Sequence, residues 1–225
     1  MKPLPVRRIG ILVLVGWCAA AFSVLAAQQA KTPAASGAKP APAAANPTFQ
    51  KTIGSPNAPI KMEVFGDFQC PACRSFFETT VKQVIDDYVI PGKVYIVHHD
   101  FPLEMHPFAM PAARLANAAA EFGQFEAIER ALYDHQDEWS AKGNIDEVIA
   151  ASFSPAQFKK FQTFESQHIN EINASIDRDR MMGLQRNVNQ TPTVFVTARG
   201  KTEGLPGGGV DYKLLKSYFD YLLRQ

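Results

Sequence analysis

Excess charge of either sign is lacking in this chain. Lys and Arg total 23 against 22 Asp and Glu, and the part that reads as folded holds no Lys/Arg cluster. Nucleic acid is therefore not an implied partner. Internal repeats are also lacking. Cysteine is scarce, with three in 225 residues. The sequence has no second C-x-x-C and no H-x₃₋₅-H pair. Cys70 and Cys73 with His98, His99 and His106 include zinc and copper ligand types, but these spacings do not assemble a metal site, and no metal is expected.

The scarcity sharpens once the chain is divided. Residues 1–26 carry Lys2, Arg7 and Arg8, an apolar run from Ile9, and Val24-Leu25-Ala26 as a small-residue cleavage signature. This pattern describes a secretory signal. If uncut, residues 9–27 are just long enough to act as a membrane anchor. Bulky Trp17 before Cys18 argues against a lipoprotein signal. Either outcome exports the folded part, to a periplasmic or other extracytoplasmic compartment where disulfides persist. Residues 27–48 turn to Ala, Pro, Lys and Gly without apolar periodicity, and read as a flexible tether. Residues 49–225 have the length of a single core. With Cys18 in the leader, only Cys70 and Cys73 remain there.

Those two cysteines stand at a junction. An apolar, strand-like run from Ile60 to Phe68 stops at Gln69-Cys70-Pro71-Ala72-Cys73, and a helical pattern begins. A cysteine at a helix N-terminus faces unpaired N–H groups and the positive end of the helix dipole, which favour thiolate. Cys70 is thus expected to be acidic and nucleophilic. Cys73, one turn on, is close enough to close a small disulfide with it. The layout is that of a thiol–disulfide exchange site.

Periodicity supplies the rest of the order. A strand is expected over 60–67 and a helix over 71–88, where Phe77, Val81, Val84, Ile85 and Tyr88 share a face. Pro91-Gly92 turns the chain into a strand over 93–98. A helical block fills about 103–187, with capping boxes expected at Asn144-x-x-Glu147 and Ser154-x-x-Gln157. Strands return at Thr193–Thr197 and around Thr202 to Leu205. Pro206-Gly-Gly-Gly209 breaks the chain before a closing helix with Leu215, Tyr218, Phe219 and Leu222.

Strand, Cys70-Pro-Ala-Cys73, helix, strand, helical block, then Thr191-Pro192-Thr-Val-Phe-Val and a final helix resembles the DsbA-like branch of the thioredoxin superfamily. Asp100-Phe-Pro-Leu-Glu-Met-His106-Pro and Gly123-Gln-Phe125 are similar to segments common in that family. The resemblance covers most of residues 49–225. It implies an α/β thioredoxin fold with an inserted helical subdomain, and a cis Thr191–Pro192 bond beside the disulfide. It also implies that the Thr191 backbone pairs with an extended substrate. A proline before Val194-Phe-Val belongs at a strand start in any case, because it cannot donate to a central ladder.

What the resemblance implies for function is exchange between the Cys70–Cys73 disulfide and cysteines of exported or unfolded proteins. A membrane redox partner would recycle the site, and no cofactor beyond the disulfide itself is needed. Substrate thiolate attacks Cys70 and a second thiol resolves the adduct. Pro71 and Ala72 tune the potential. The family's strong oxidase has histidine where this chain has Ala72, so a milder oxidant is expected. The tether leaves no dimerisation segment, which favours a monomeric oxidase over an isomerase. Asp67 and Glu63 are candidate proton relays to Cys73, although strand carboxylates commonly face solvent. Phe68, Phe76 and Phe77 are candidates for an apolar substrate surface, with ordinary core an equal reading for Phe77. The alternative reading is a non-catalytic thioredoxin-like module whose cysteines form a structural disulfide or bind metal for a partner.

Overall fold

The computed structural model describes residues 48–225. The expected signal or anchor (1–26), and the expected tether apart from Thr48, lie outside the described residues. No helix among the described residues is long and apolar enough to cross a membrane.

The fold is built on a mixed five-stranded sheet. β2 (Ile60–Gly66) is buried along almost its whole length, as its apolar run requires. β3 (Val94–Asp100) lies parallel to it, with Val64 beside His98 and Phe65 beside His99. β4 (Thr193–Ala198) pairs antiparallel on the other side of β2, and β5 (Lys201–Gly204) closes that edge. The hairpin between β4 and β5 turns through Arg199 and Gly200, both at positive φ, as a two-residue loop of this hand demands. β1 (Thr52–Ile53) pairs antiparallel with β3 and gives the order β1-β3-β2-β4-β5. The sequence reading does not contain β1, since two residues show no alternation.

The helix expected over 71–88 is a single run with altered winding. α1 (Pro71–Phe76) passes into a π-turn at Phe77–Val81, α2 (Lys82–Val84) and a second π-turn at Ile85–Val89. Phe77, Val81, Val84, Ile85 and Tyr88 are all buried on its inner face. They join Ile60, Met62, Val64, Val94, Ile96, Val194 and Val196 of the sheet, and Leu215 and Phe219 of α9 (Tyr212–Arg224). Each such side chain taken fully from water contributes roughly 1.5–3 kcal/mol.

Between β3 and β4 the chain is mostly helical, but the helices start at Ala109 rather than at about 103, because residues 101–108 run as turns and coil through Pro102 and Pro107. The helices are α3 (Ala109–Glu121), α4 (Phe125–Asp134), α5 (Gln136–Lys142), α6 (Ile145–Ala150), α7 (Pro155–Gln167) and α8 (Ile169–Gln185). Alanines 112, 113, 116 and 119 are fully buried, and their small side chains let α3 sit close to its neighbours. The Ser154 capping box forms, with Gln157 N–H donating to Ser154 Oγ and Ser154 N–H donating to Gln157 Oε1 at 3.0 Å. The Asn144 box does not. Asn144 Nδ2 donates instead to Glu147 Oε2 at 2.7 Å, so the two side chains satisfy each other and leave the backbone of α6 uncapped.

Candidate functional site

Cys70 stands as the N-cap of α1, with extended backbone (φ −72°, ψ 122°) and Pro71 as the first helical residue. Proline suits that position because its missing N–H would be unpaired there anyway. Both cysteines are free thiols in this structure, Cys70 7% exposed and Cys73 2%. Cys70 is therefore the sulfur a second chain can reach.

The two sulfurs are strongly differentiated. The Cys73 thiol donates to the Cys70 sulfur and is the largest influence bringing its pKa down to about 5, against the opposing effect of burial. The Thr191 side chain and the N–H groups of Cys73 and Ala72 add to the depression. Burial pushes the Cys73 thiol up well above its ordinary value, and the neighbouring Cys70 charge adds to that. Thiolate at Cys70 and thiol at Cys73 is the division of labour that exchange requires.

Thr191 and Pro192 complete the site from the start of β4. The Thr191–Pro192 peptide bond is cis. Cys70 Sγ lies 3.6 Å from Thr191 O, and the Thr191 hydroxyl is buried. Pro192 lines the cavity behind Cys73. Gly208 N–H donates to Pro192 O at 3.0 Å and so ties the Gly207–Gly209 loop to this corner. Gly209, at φ +94°, sits against Phe76, where a Cβ would come within 3.1 Å of the ring. A groove of about 240 Å³ then runs beside the motif, between Ala72, Ser75 and Phe76 of α1 and Gly208–Asp211.

The helical block holds the loop that carries Cys70. Gln136 Nε2 donates to the carbonyls of Phe68 at 2.6 Å and Cys70 at 3.1 Å. Phe108 N–H donates to Gln69 Oε1 at 2.6 Å. Asp67 N–H donates to Cys73 Sγ at 3.5 Å, but the Asp67 carboxylate is turned away. It accepts from Gln69 N–H at 2.7 Å and Leu103 N–H at 2.9 Å, and it contacts His106 Nδ1 at 2.7 Å.

Two expectations are corrected here. Asp67 and Glu63 do not face solvent; they are 2% and 6% exposed. Glu63 moreover points to the opposite face of the sheet, away from Val64 and the cysteines. There it meets His99 Nε2, Arg186 and Lys61, each at 3.2 Å, and these partners overcome burial to hold its pKa down to about 2. The reason is strand alternation combined with burial on both faces. Phe68, Phe76 and Phe77 are likewise buried, and of the three only Phe76 lines the groove beside the motif.

Sequence reasoning also missed a buried charge network. Lys51 Nζ contacts Asp100, Asp179 Oδ2 at 2.7 Å and Asn117 Oδ1 at 3.2 Å. Burial disfavours the Lys51 charge, but the two aspartates outweigh it and its pKa is raised. His99 bridges Asp179 at 3.0 Å and Glu63 at 3.2 Å, and is also held above its ordinary pKa despite burial. Among the described residues no cluster of three or more His, Cys, Asp or Glu has metal-site geometry.

A family model described as thioredoxin matches residues 48–203. A Na(+)/H(+) antiporter NhaA 1 of Mycolicibacterium gilvum is 32% identical over 160 residues; the match covers 68% of this chain and 24% of that protein. A probable disulfide bond formation protein D of Bacillus cereus is 25% identical over 157 residues, covering 65% of this chain and 69% of that protein. Among solved structures, Wolbachia pipientis alpha-DsbA1 superposes with a TM-score of 0.62 at 22% identity, over 77% of this chain and 90% of that one.

Proposed function

Because the chain belongs to the thioredoxin family, as a DsbA-like member, we propose that it is a thiol:disulfide oxidoreductase that works as an oxidase on exported proteins. The observation that carries this reading is the asymmetry of the dithiol: a Cys70 pKa brought down to about 5 beside a Cys73 thiol held protonated by burial. A stabilised thiolate makes the reduced state favourable, so the Cys70–Cys73 disulfide tends to take electrons.

In the forward reaction a substrate thiolate attacks Cys70 Sγ. The substrate–Cys70 bond forms, the Cys70–Cys73 bond breaks, and Cys73 leaves with the electron pair and is protonated. A second substrate thiolate then attacks the substrate sulfur and releases Cys70 as its stabilised thiolate. The substrate is oxidised by two electrons and the dithiol holds them. Thr191, whose carbonyl flanks Cys70, and the groove along Ala72, Ser75 and Phe76 are the surface on which an extended substrate chain lies. Pro71 and Ala72 tune the potential, and no cofactor beyond the disulfide takes part. A membrane redox partner reoxidises the dithiol. The compartment is the periplasm or its equivalent, with residues 9–27 as an uncleaved tether or a removed signal. The exported protein acts as a monomer.

The test is the reduction potential of the protein, equilibrated in glutathione buffers and read by thiol alkylation. A value of roughly −120 to −180 mV is expected. A value near about −270 mV makes the protein a reductant. A disulfide that stays closed across the series removes the catalytic reading.

A further inference from the structure

Exchange requires Cys73 to gain a proton each time the disulfide opens and to lose it each time it closes. At 2% exposure that sulfur has no ready access to solvent. Behind it lies a cavity of about 10 Å³, close to the least space that admits one water molecule. Cys73, Val64, His98, Glu129, Tyr133 and Pro192 are among its lining residues. Parallel register sets His98 beside Val64 on the sheet face that α1 covers. Gly66 leaves His98 its room, since a Cβ there would lie 3.0 Å from His98 Cε1.

Glu129 reaches this cavity from α4, whose Phe125, Ile128 and Leu132 are fixed in the core. Its Oε1 lies 3.1 Å from His98 Nδ1. Its Oε2 is buried with no protein partner, and so is His98 Nε2, which is 3.7 Å from Asp100 Oδ1. Buried polar atoms are nearly always paired, so unpaired ones lining a cavity with a reactive sulfur point to use. The two carboxylates nearer in sequence do not serve. Asp67 is occupied by Gln69, Leu103 and His106, and Glu63 faces the far side of the sheet.

We propose that the Glu129–His98 pair stores the proton that passes to the Cys73 sulfur when the disulfide opens, and takes it back when the disulfide closes. The inference rests on the oxidoreductase reading above. On opening, substrate sulfur bonds to Cys70, the S–S electron pair leaves on Cys73, and one proton moves from the pair through Glu129 to that sulfur. The pair is left one proton poorer. On reoxidation the Cys73 proton returns to Glu129 as the S–S bond forms again. The groups that set the local field are Cys70 at the N-cap of α1, Cys73 on α1, Asp67 on the loop before it, and Tyr133 on α4. His98 and Asp100 on β3 and Lys51 beyond them complete the set. Glu129 thus acts through the cavity as a positioning and proton-storing residue.

The test uses the oxidised full chain and a cysteine peptide, with the rate of disulfide opening followed across pH by stopped flow. E129Q is expected to slow opening on the order of 10²-fold, the scale of general acid catalysis. It should also remove one ionisation from the pH–rate profile, while E129D restores part of both. Alkylation of Cys70 in reduced E129Q should keep its wild-type pH midpoint, which separates this effect from damage to the motif. A profile for E129Q that superimposes on wild type overturns the inference and leaves the oxidoreductase reading intact. A wild-type chain that does not exchange overturns the reading itself. Should E129Q not fold, the redox-difference infrared spectrum of wild-type protein carrying ¹³C-carboxyl glutamate decides. A change in glutamate carboxyl bands on reduction is expected, and none overturns the proposal.

Discussion

Thr191 O lies 3.6 Å from Cys70 Sγ, although the two residues are 121 positions apart. The contact joins the turn that follows β2 to the residues just before β4, the two strands that pair at the centre of the sheet. It places the Thr191 hydroxyl where it lowers the Cys70 pKa.

Alkylation of the reduced protein by iodoacetamide should therefore show one reactive thiol with a midpoint near pH 5, the value the site imposes on Cys70. Thr191→Val removes a hydroxyl and should move that midpoint upward. An unchanged midpoint in the variant would mean that the hydroxyl does not stabilise the thiolate.

A depressed folded pKa has a definite sign in stability. The reduced protein gains from Cys70 ionisation in full above the ordinary thiol value of 9.0, and loses the gain as pH falls through about 5. Reduced wild type, compared with reduced Cys70→Ser in urea unfolding, should gain relative stability between about pH 5 and pH 9. Cys73 is shifted in the other direction, so its effect appears only above that window.

Cys70→Ser should abolish exchange, because the remaining sulfur is buried. Cys73→Ser should accumulate mixed disulfides with substrate proteins, visible as adducts in a non-reducing gel. A Cys73→Ser protein without adducts would reverse the assignment of attacking and resolving sulfurs.

Lys51→Met should cost about 3–5 kcal/mol in urea unfolding, since Asp100 is left as an uncompensated buried charge. Lys51→Met combined with Asp100→Asn should cost less than the sum of the two single changes, as members of one network do. Additive costs would show that the two side chains act independently.

How much of this was legible depended on how local each signal was. The Cys70–Cys73 junction could be read because strand end, N-cap proline and helix start fall within a few residues. The π-turns at Phe77–Val81 and Ile85–Val89 could not, because they bury the same face that an α-helix would. Lys51, ahead of a strand of two residues, looks like an ordinary solvated lysine; its partners lie 49 and 128 positions away. Glu63 and Asp67 were expected to face solvent because alternation shows which residues share a side. It does not show that the helical block covers the second side as well. His98 and Glu129, 31 residues apart, meet only through the parallel register of β2 and β3 and the seating of α4.

Gln136 and Phe108 grip the loop at Phe68, Gln69 and Cys70 from the helical block. The block is thus one wall of the reaction vessel rather than an ornament on a self-sufficient scaffold. A chimera that kept Cys70-Pro-Ala-Cys73 and took its helices from a relative would inherit much of the donor's redox character with them. The four-residue signature alone is then a poor label for how strongly such a protein oxidises.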